Sequence, residues 1–284
     1  MPEIKRYISE RKFDNFKKDI SPLVKKIRES MGELNFQLRK DDLFNIYYKG
    51  NSLAEVKVQR QYYVVSIHEK FKAPKAAEKR FPKNRFNNPK RKKKNYDSIF
   101  LKPEELSIFF QVSIIKALAA RIKSINYGEE ITFEQSLISD NLDSEDIIII
   151  DRQVGGGGIS GFLDLLALKK VARAKYRFVV LEVKLGNNKE LDGEVVSQIE
   201  KYIEAIKENI NNFRECYQIN YAQKKELGLF PMDFPDEISI DNEVEGRIVV
   251  GLYSKIGEEY INNLLRKYPD WKSKIIHFRN ELKL

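Results

Sequence analysis

The chain predicts an α/β protein in which a central mixed β-sheet flanked by helices occupies residues 96–284. A small α+β module over residues 1–71 precedes it, and a basic segment, 72–95, joins the two. Three observations carry this expectation. Short apolar runs rich in β-branched and aromatic residues, Phe162–Leu168, Phe178–Val183 and Arg247–Tyr253, have the length of strands. Apolar residues recur at helical spacing in 103–123 and 194–210. Upstream, LFNIYYKG, 52–58 and YYVVSIHE read as strands separated by the turns Lys49-Gly50-Asn51 and Gln59-Arg60.

In chain order, residues 1–30 place Ile4, Ile8, Phe13, Phe16, Ile20, Val24 and Ile27 at helical spacing. One or two helices are expected, with Asp19-Ile20-Ser21-Pro22 as a break or an N-cap. In the strands that follow, the paired tyrosines Tyr47-Tyr48 and Tyr62-Tyr63 could form a nucleic-acid platform, but paired aromatics on a strand more often mean one core ring and one surface ring. A helix is expected from Lys102-Pro103 to about Lys123, and a short acidic one over Glu129–Ile138. Ile147–Ile150 forms a short buried strand, and Gly155–Gly158 a hairpin turn. No G-K-[ST] follows those glycines, which disfavours a nucleotide P-loop. Residues 211–245 are polar and irregular and are expected to be an insertion with helical and loop parts. A helix over Gly257–Tyr268 and a strand over Ile275–Phe278 complete the sheet, with Trp271 as a core anchor.

At 42% hydrophobic and 33% charged residues, the composition is that of a globular chain, and no apolar run approaches membrane-spanning length. The N-terminal residues lack the apolar core of a signal peptide. Cys216 is the single cysteine, which excludes internal disulfides and thiolate metal sites and fits a reducing cytoplasm. With only His68 and His277, histidine zinc sites are excluded in practice, so any metal needs oxygen ligands, as Mg²⁺ or Mn²⁺ would. Residues 72–94 hold eleven Lys or Arg and one acid, a net of +10 against +9 for the whole chain. Lys90, Arg91, Lys92, Lys93 and Lys94 form its densest run. A solvated basic linker is the conformational expectation. Counterion release makes a polyanion its natural partner, and no amphipathic face accompanies it that would suit a membrane.

The two central strand runs carry charges that an apolar core does not explain. Strand side chains alternate, so Asp164 shares a face with Leu166 and Leu168, while Glu182 and Lys184 share a face opposite Leu181 and Val183. If the strands are neighbours, two carboxylates and an ammonium converge at one end of the sheet. A buried pair broken by loss of its partner costs about 3–5 kcal/mol, and a divalent metal would remove that penalty.

Asp164, seventeen intervening residues and then Glu182-Val183-Lys184 resemble the PD-(D/E)XK nuclease superfamily, whose fold is restriction-endonuclease-like. Leu163 stands where the literal motif has proline. The similarity covers roughly residues 130–206 and extends to Gln198 and Tyr202, which match a glutamine–tyrosine pair that exonuclease-like branches carry on the helix beside the site. It implies that Asp164 and Glu182 bind Mg²⁺ or Mn²⁺ together with the Val183 carbonyl. Lys184 would position or deprotonate a water, Gln198 would orient substrate or water, and Tyr202 would contact phosphate. A further glutamate from the preceding helix is also implied, Glu134 before Glu130, although a surface acid in a first helical turn fits there as well. The implied substrate is nucleic acid, DNA before RNA, in repair, restriction or antiviral defence. Homo-oligomerisation is left open. The alternative is a nucleic-acid-binding protein with a dormant nuclease-like domain.

Overall fold

In a computed structural model, residues 3–71, 95–125 and 128–279 are described. They form two compact units, one of Lys5–Gln135 with Gln223–Met232 and one of Met1–Ile4, Ser136–Ala222 and Asp233–Leu284.

The first unit opens with helix α1 (Glu10–Glu29), whose Phe13, Phe16, Ile20, Leu23, Val24 and Ile27 make the buried stripe. The break expected at Asp19–Pro22 does not occur, and Pro22 lies inside one continuous helix. Burial of that stripe on both sides of Pro22 outweighs the hydrogen bond that proline cannot make. An antiparallel meander follows: β1 (Leu34–Arg39), β2 (Leu43–Tyr48), β3 (Asn51–Val58), β4 (Tyr63–His68) and β5 (Tyr96–Leu101). Tyr48 and Tyr63 are core rings, while Tyr47 and Tyr62 stay half-buried, as the doubled tyrosines implied.

The sequence-based domain boundary at residue 96 is displaced to about 135. β5 pairs with β4 in register His68↔Tyr96 and therefore belongs to the first sheet. The single helix expected over 103–123 is two, α2 (Pro103–Phe109) and α3 (Val112–Ile125). Their Leu106, Phe109, Phe110, Ile114, Leu118 and Ile122 share one hydrophobic cluster with α1 and the meander. The helical stripe was legible, but not the core it would fill. Lys90, Arg91, Lys92, Lys93 and Lys94 lie outside the described residues.

Helix α4 (Glu129–Asp140) leads into the second sheet, and Thr132 is inside it, its hydroxyl donating to Gly128 O at 2.8 Å. The sheet is built from β6 (Ile147–Gly156), β7 (Ile159–Ala172), β8 (Lys175–Leu185), β9 (Ser239–Gly251) and β10 (Ile275–His277). Its order is β10-β9-β8-β7-β6, with β8–β9 and β9–β10 parallel and the remaining pairs antiparallel. The sheet is mixed, and the fold is α/β, as expected. The parallel β8–β9 step needs a long crossover, which α5 (Glu194–Glu208) and α6 (Ile210–Glu226) provide. The glycine run closes the β6–β7 hairpin, and helix α7 (Ser254–Lys267) precedes the 3₁₀ turn that buries Trp271.

The helical and loop parts expected over 211–245 are present, but the segment is no insertion that runs to 245. Helix α6 fills its first half, and β9 already begins at Ser239. Phe213, Tyr217 and Tyr221, spaced four apart, are all fully buried and fix one face of α6 within otherwise polar sequence.

Candidate active site

The β7–β8 ladder holds register from Lys170↔Tyr176 to Leu165↔Leu181 and then ends. Beyond it β7 stays paired with β6 through Val154↔Leu163, and β8 stays paired with β9 through Leu185↔Gly251. The two ribbons part at the positions of Asp164 and Glu182. In the opening, the Val183 N–H donates to Asp164 Oδ2 at 3.0 Å, so a side chain takes the place of a strand carbonyl. Backbone donors left without partners inside a sheet are costly, and this bond both removes that cost and aims the Asp164 carboxylate at β8.

Glu182 is 1% exposed and Lys184 6%. Two residues apart on β8, they share a face, and Lys184 Nζ lies 3.0 Å from Glu182 Oε1. The same ammonium is 2.8 Å from Glu190 Oε2, carried by the 3₁₀ turn Lys189–Asp192 just after β8. Glu182 Oε2 is buried and meets no hydrogen-bond donor.

Burial, and next the neighbouring Asp164 charge, push the Glu182 carboxyl up to about 8. Burial also raises Asp164, against the Val183 N–H and the Lys184 and Arg152 charges that pull it down. The two carboxyls thus resist carrying two negative charges together. Burial acts to lower Lys184, but Glu182 and Glu190 outweigh it and hold the ammonium above the ordinary lysine value. Lys184 is accordingly a charged donor in this arrangement.

On α5, Gln198 Nε2 donates to the Tyr202 hydroxyl at 3.0 Å, and that hydroxyl donates to Phe162 O at 3.1 Å. Burial raises Tyr202, and the charges of Glu182 and Asp164 add to the rise, which places this pair beside the carboxylates. The structure therefore brings together Asp164, Glu182, Val183, Lys184, Gln198 and Tyr202. Glu134 lies on α4, 2% exposed, in the unit that ends at Gln135. Among the described residues no group of three or more His, Cys, Asp or Glu side chains could hold a metal.

No family model, curated protein or solved structure matches the chain.

Two site features escaped sequence reasoning. Glu190 sits in a turn that offered no periodic signal; only its reach back to Lys184 reveals it. Arg152 is fully buried on β6 next to an irregularity between Ile149 and Asp151, and its charge acts on Asp164. An Asp-Arg pair closing an all-isoleucine strand was the available signal, since buried arginines are rare without a partner.

The donor set fits a hard divalent cation. It contains two carboxylates from adjacent strands, one with a buried oxygen that meets no donor. Magnesium is commonly held by one or two carboxylates, with water and substrate phosphate completing six oxygens, so a third acid is not required.

Proposed function

We propose that the chain is a metal-dependent nuclease, hydrolysing phosphodiester bonds in nucleic acid, with DNA as the preferred substrate. The observation that carries this is the meeting of Asp164 and Glu182 where β7 and β8 part, with Lys184 beside them. Asp164, Glu182 and the Val183 carbonyl would hold Mg²⁺ or Mn²⁺. Such an ion supplies a polarised phosphoryl oxygen and a bound water of lowered pKa.

The remaining roles belong to the chain itself. Lys184, held protonated between Glu182 and Glu190, offsets negative charge that grows on the phosphoryl group in the transition state. A base role would require it to lose that proton against two carboxylates, so the electrostatic role is the one supported. Val183 N–H fixes one oxygen of Asp164. The Gln198–Tyr202–Phe162 chain of hydrogen bonds pins the β7 backbone next to the carboxylates.

A nucleic-acid-binding protein with a dormant core is the second reading, and one observation favours it. The Glu190 contact neutralises the same ammonium that catalysis would use. Single-stranded, double-stranded, circular and branched nucleic acids incubated with Mg²⁺ or EDTA decide between the two. Cleavage that needs Mg²⁺ and is lost in Asp164→Ala, Glu182→Ala and Lys184→Ala, with binding kept, supports the nuclease. Equal cleavage by wild type and all three variants eliminates the site.

A further inference from the structure

Phe162 is a large apolar side chain left 62% exposed one strand step from Asp164. Side chains two apart on a strand point to the same side, about 6.8 Å along the chain. The ring thus stands on the rim of the opening between β7 and β8, on the side from which Asp164 projects. Its position is fixed by three features. Gly155, across the β6–β7 hairpin, presents bare backbone to it, and a Cβ there would come within 2.8 Å of Phe162 Cδ1 and Cε1. The Phe162 carbonyl accepts the Tyr202 hydroxyl, itself held by Gln198. Gly161, at φ +86°, sets the chain direction just before the ring, and a Cβ there would lie 4.0 Å from the Tyr202 hydroxyl.

Leaving a phenylalanine ring in water is unfavourable relative to burying it. Gly155 lies against the Cδ1 and Cε1 atoms of the ring, and most of the side chain stays exposed on the strand face that carries Asp164. A ligand that covers the ring must bring something flat and apolar, and an unstacked nucleobase is both.

We propose that Phe162 is a stacking platform for a nucleobase, so that the substrate entering this site is single-stranded or locally unpaired nucleic acid. The inference rests on the nuclease reading for its substrate class, but it is tested without cleavage. Base–aromatic stacking contributes enough that a single platform separates strands with and without bases by about tenfold in affinity.

The experiment is fluorescence anisotropy of the full chain in EDTA, with a labelled oligo-dT strand and the abasic strand of the same length. Wild type is expected to bind the dT strand about tenfold more tightly than the abasic one. Phe162→Leu keeps the apolar cover over Gly155 but has no π-face, and Gly155→Ala displaces the ring without removing it. Both are expected to bring the two affinities within about twofold, while Phe162→Trp keeps the preference. Far-UV circular dichroism confirms that each variant is folded, and a folded Phe162→Leu protein that retains the wild-type preference overturns the proposal. So does a wild type with no preference for bases, or one that binds blunt duplex more tightly than either strand. Because no metal is present, a chain that never cleaves can still show the platform, and a chain that cleaves can still lack it.

Discussion

In the meander β1–β5, the polar side chains that become buried close on one another. Ser66 Oγ and Ser98 Oγ lie 2.7 Å apart across β4–β5. Ser52 Oγ donates to Asn45 Oδ1 at 2.9 Å, and the nearly inaccessible Gln37 takes Lys224 Nζ on its Oε1 at 2.7 Å. In the second sheet the corresponding ladder stops at Leu165↔Leu181, and the groups buried there do not close. Two carboxyls face each other, one oxygen of Glu182 meets no donor, and a single ammonium serves two acids. A satisfied polar set stabilises a fold, whereas one left open at a local break in pairing waits for a ligand. The difference separates a scaffold from a site more sharply than composition does, since both sheets bury polar residues.

That contrast yields tests in descending order of effect. Phe44 is fully buried in the first unit, with ring centroids 5.1 Å from Phe36 and 5.4 Å from Phe16. Phe44→Ala is expected to cost about 3–5 kcal/mol in urea unfolding. A cost under ~1 kcal/mol would remove the first sheet from the role of scaffold.

Asp164→Asn or Glu182→Gln is expected to lower Mg²⁺-dependent cleavage by about 10²–10³-fold, the scale of losing several kcal/mol of metal-based stabilisation. Asp164→Asn should not reduce folding stability, because it relieves like charge in a buried pair, whereas Glu182→Gln also takes a counter-charge from the buried Lys184 ammonium and is expected to destabilise.

The pH dependence has a definite sign. Glu182 is raised from 4.5 to about 8 on folding, so the native state keeps a proton that the unfolded chain has released. Without metal, stability therefore falls as pH rises from about 4.5 towards 8, by at most ~1.4 kcal/mol per pH unit. Urea unfolding in EDTA across that window measures the slope, and Glu182→Gln should flatten it. A slope of opposite sign would mean that the carboxyl pair is not buried as described.

The smallest effect belongs to the closed set. Ser66→Ala leaves the Ser98 hydroxyl without its partner and is expected to cost about 1 kcal/mol, with the Ser66→Ala/Ser98→Ala pair closer to neutral. A double variant costing clearly more than the single one would show that this bond is not what closes the face.

Much of this was legible in the sequence. Strand-length apolar runs interrupted by Asp164, Glu182 and Lys184 marked both the sheet and the residues that meet on it, because alternation fixes faces without knowledge of the fold. Gln198 and Tyr202 share a helix face by their spacing, but only the family resemblance marked them as site residues. What escaped depends on tertiary placement. Pro22 lies within α1 because core burial continues past it, and β5 joins the first sheet through pairing across the long 72–94 segment. Glu190 and Arg152 act through space and not through spacing. The aromatic period of Phe213, Tyr217 and Tyr221 was present and overlooked within polar surroundings.

The central claim is that Asp164 and Glu182 jointly hold one divalent cation, and Mn²⁺ binding followed by electron paramagnetic resonance addresses it without any substrate. One Mn²⁺ per chain in wild type, competed by Mg²⁺, tighter as pH rises and lost in Asp164→Asn/Glu182→Gln, is the expected result. No bound Mn²⁺, or the same binding in the double variant, would contradict it.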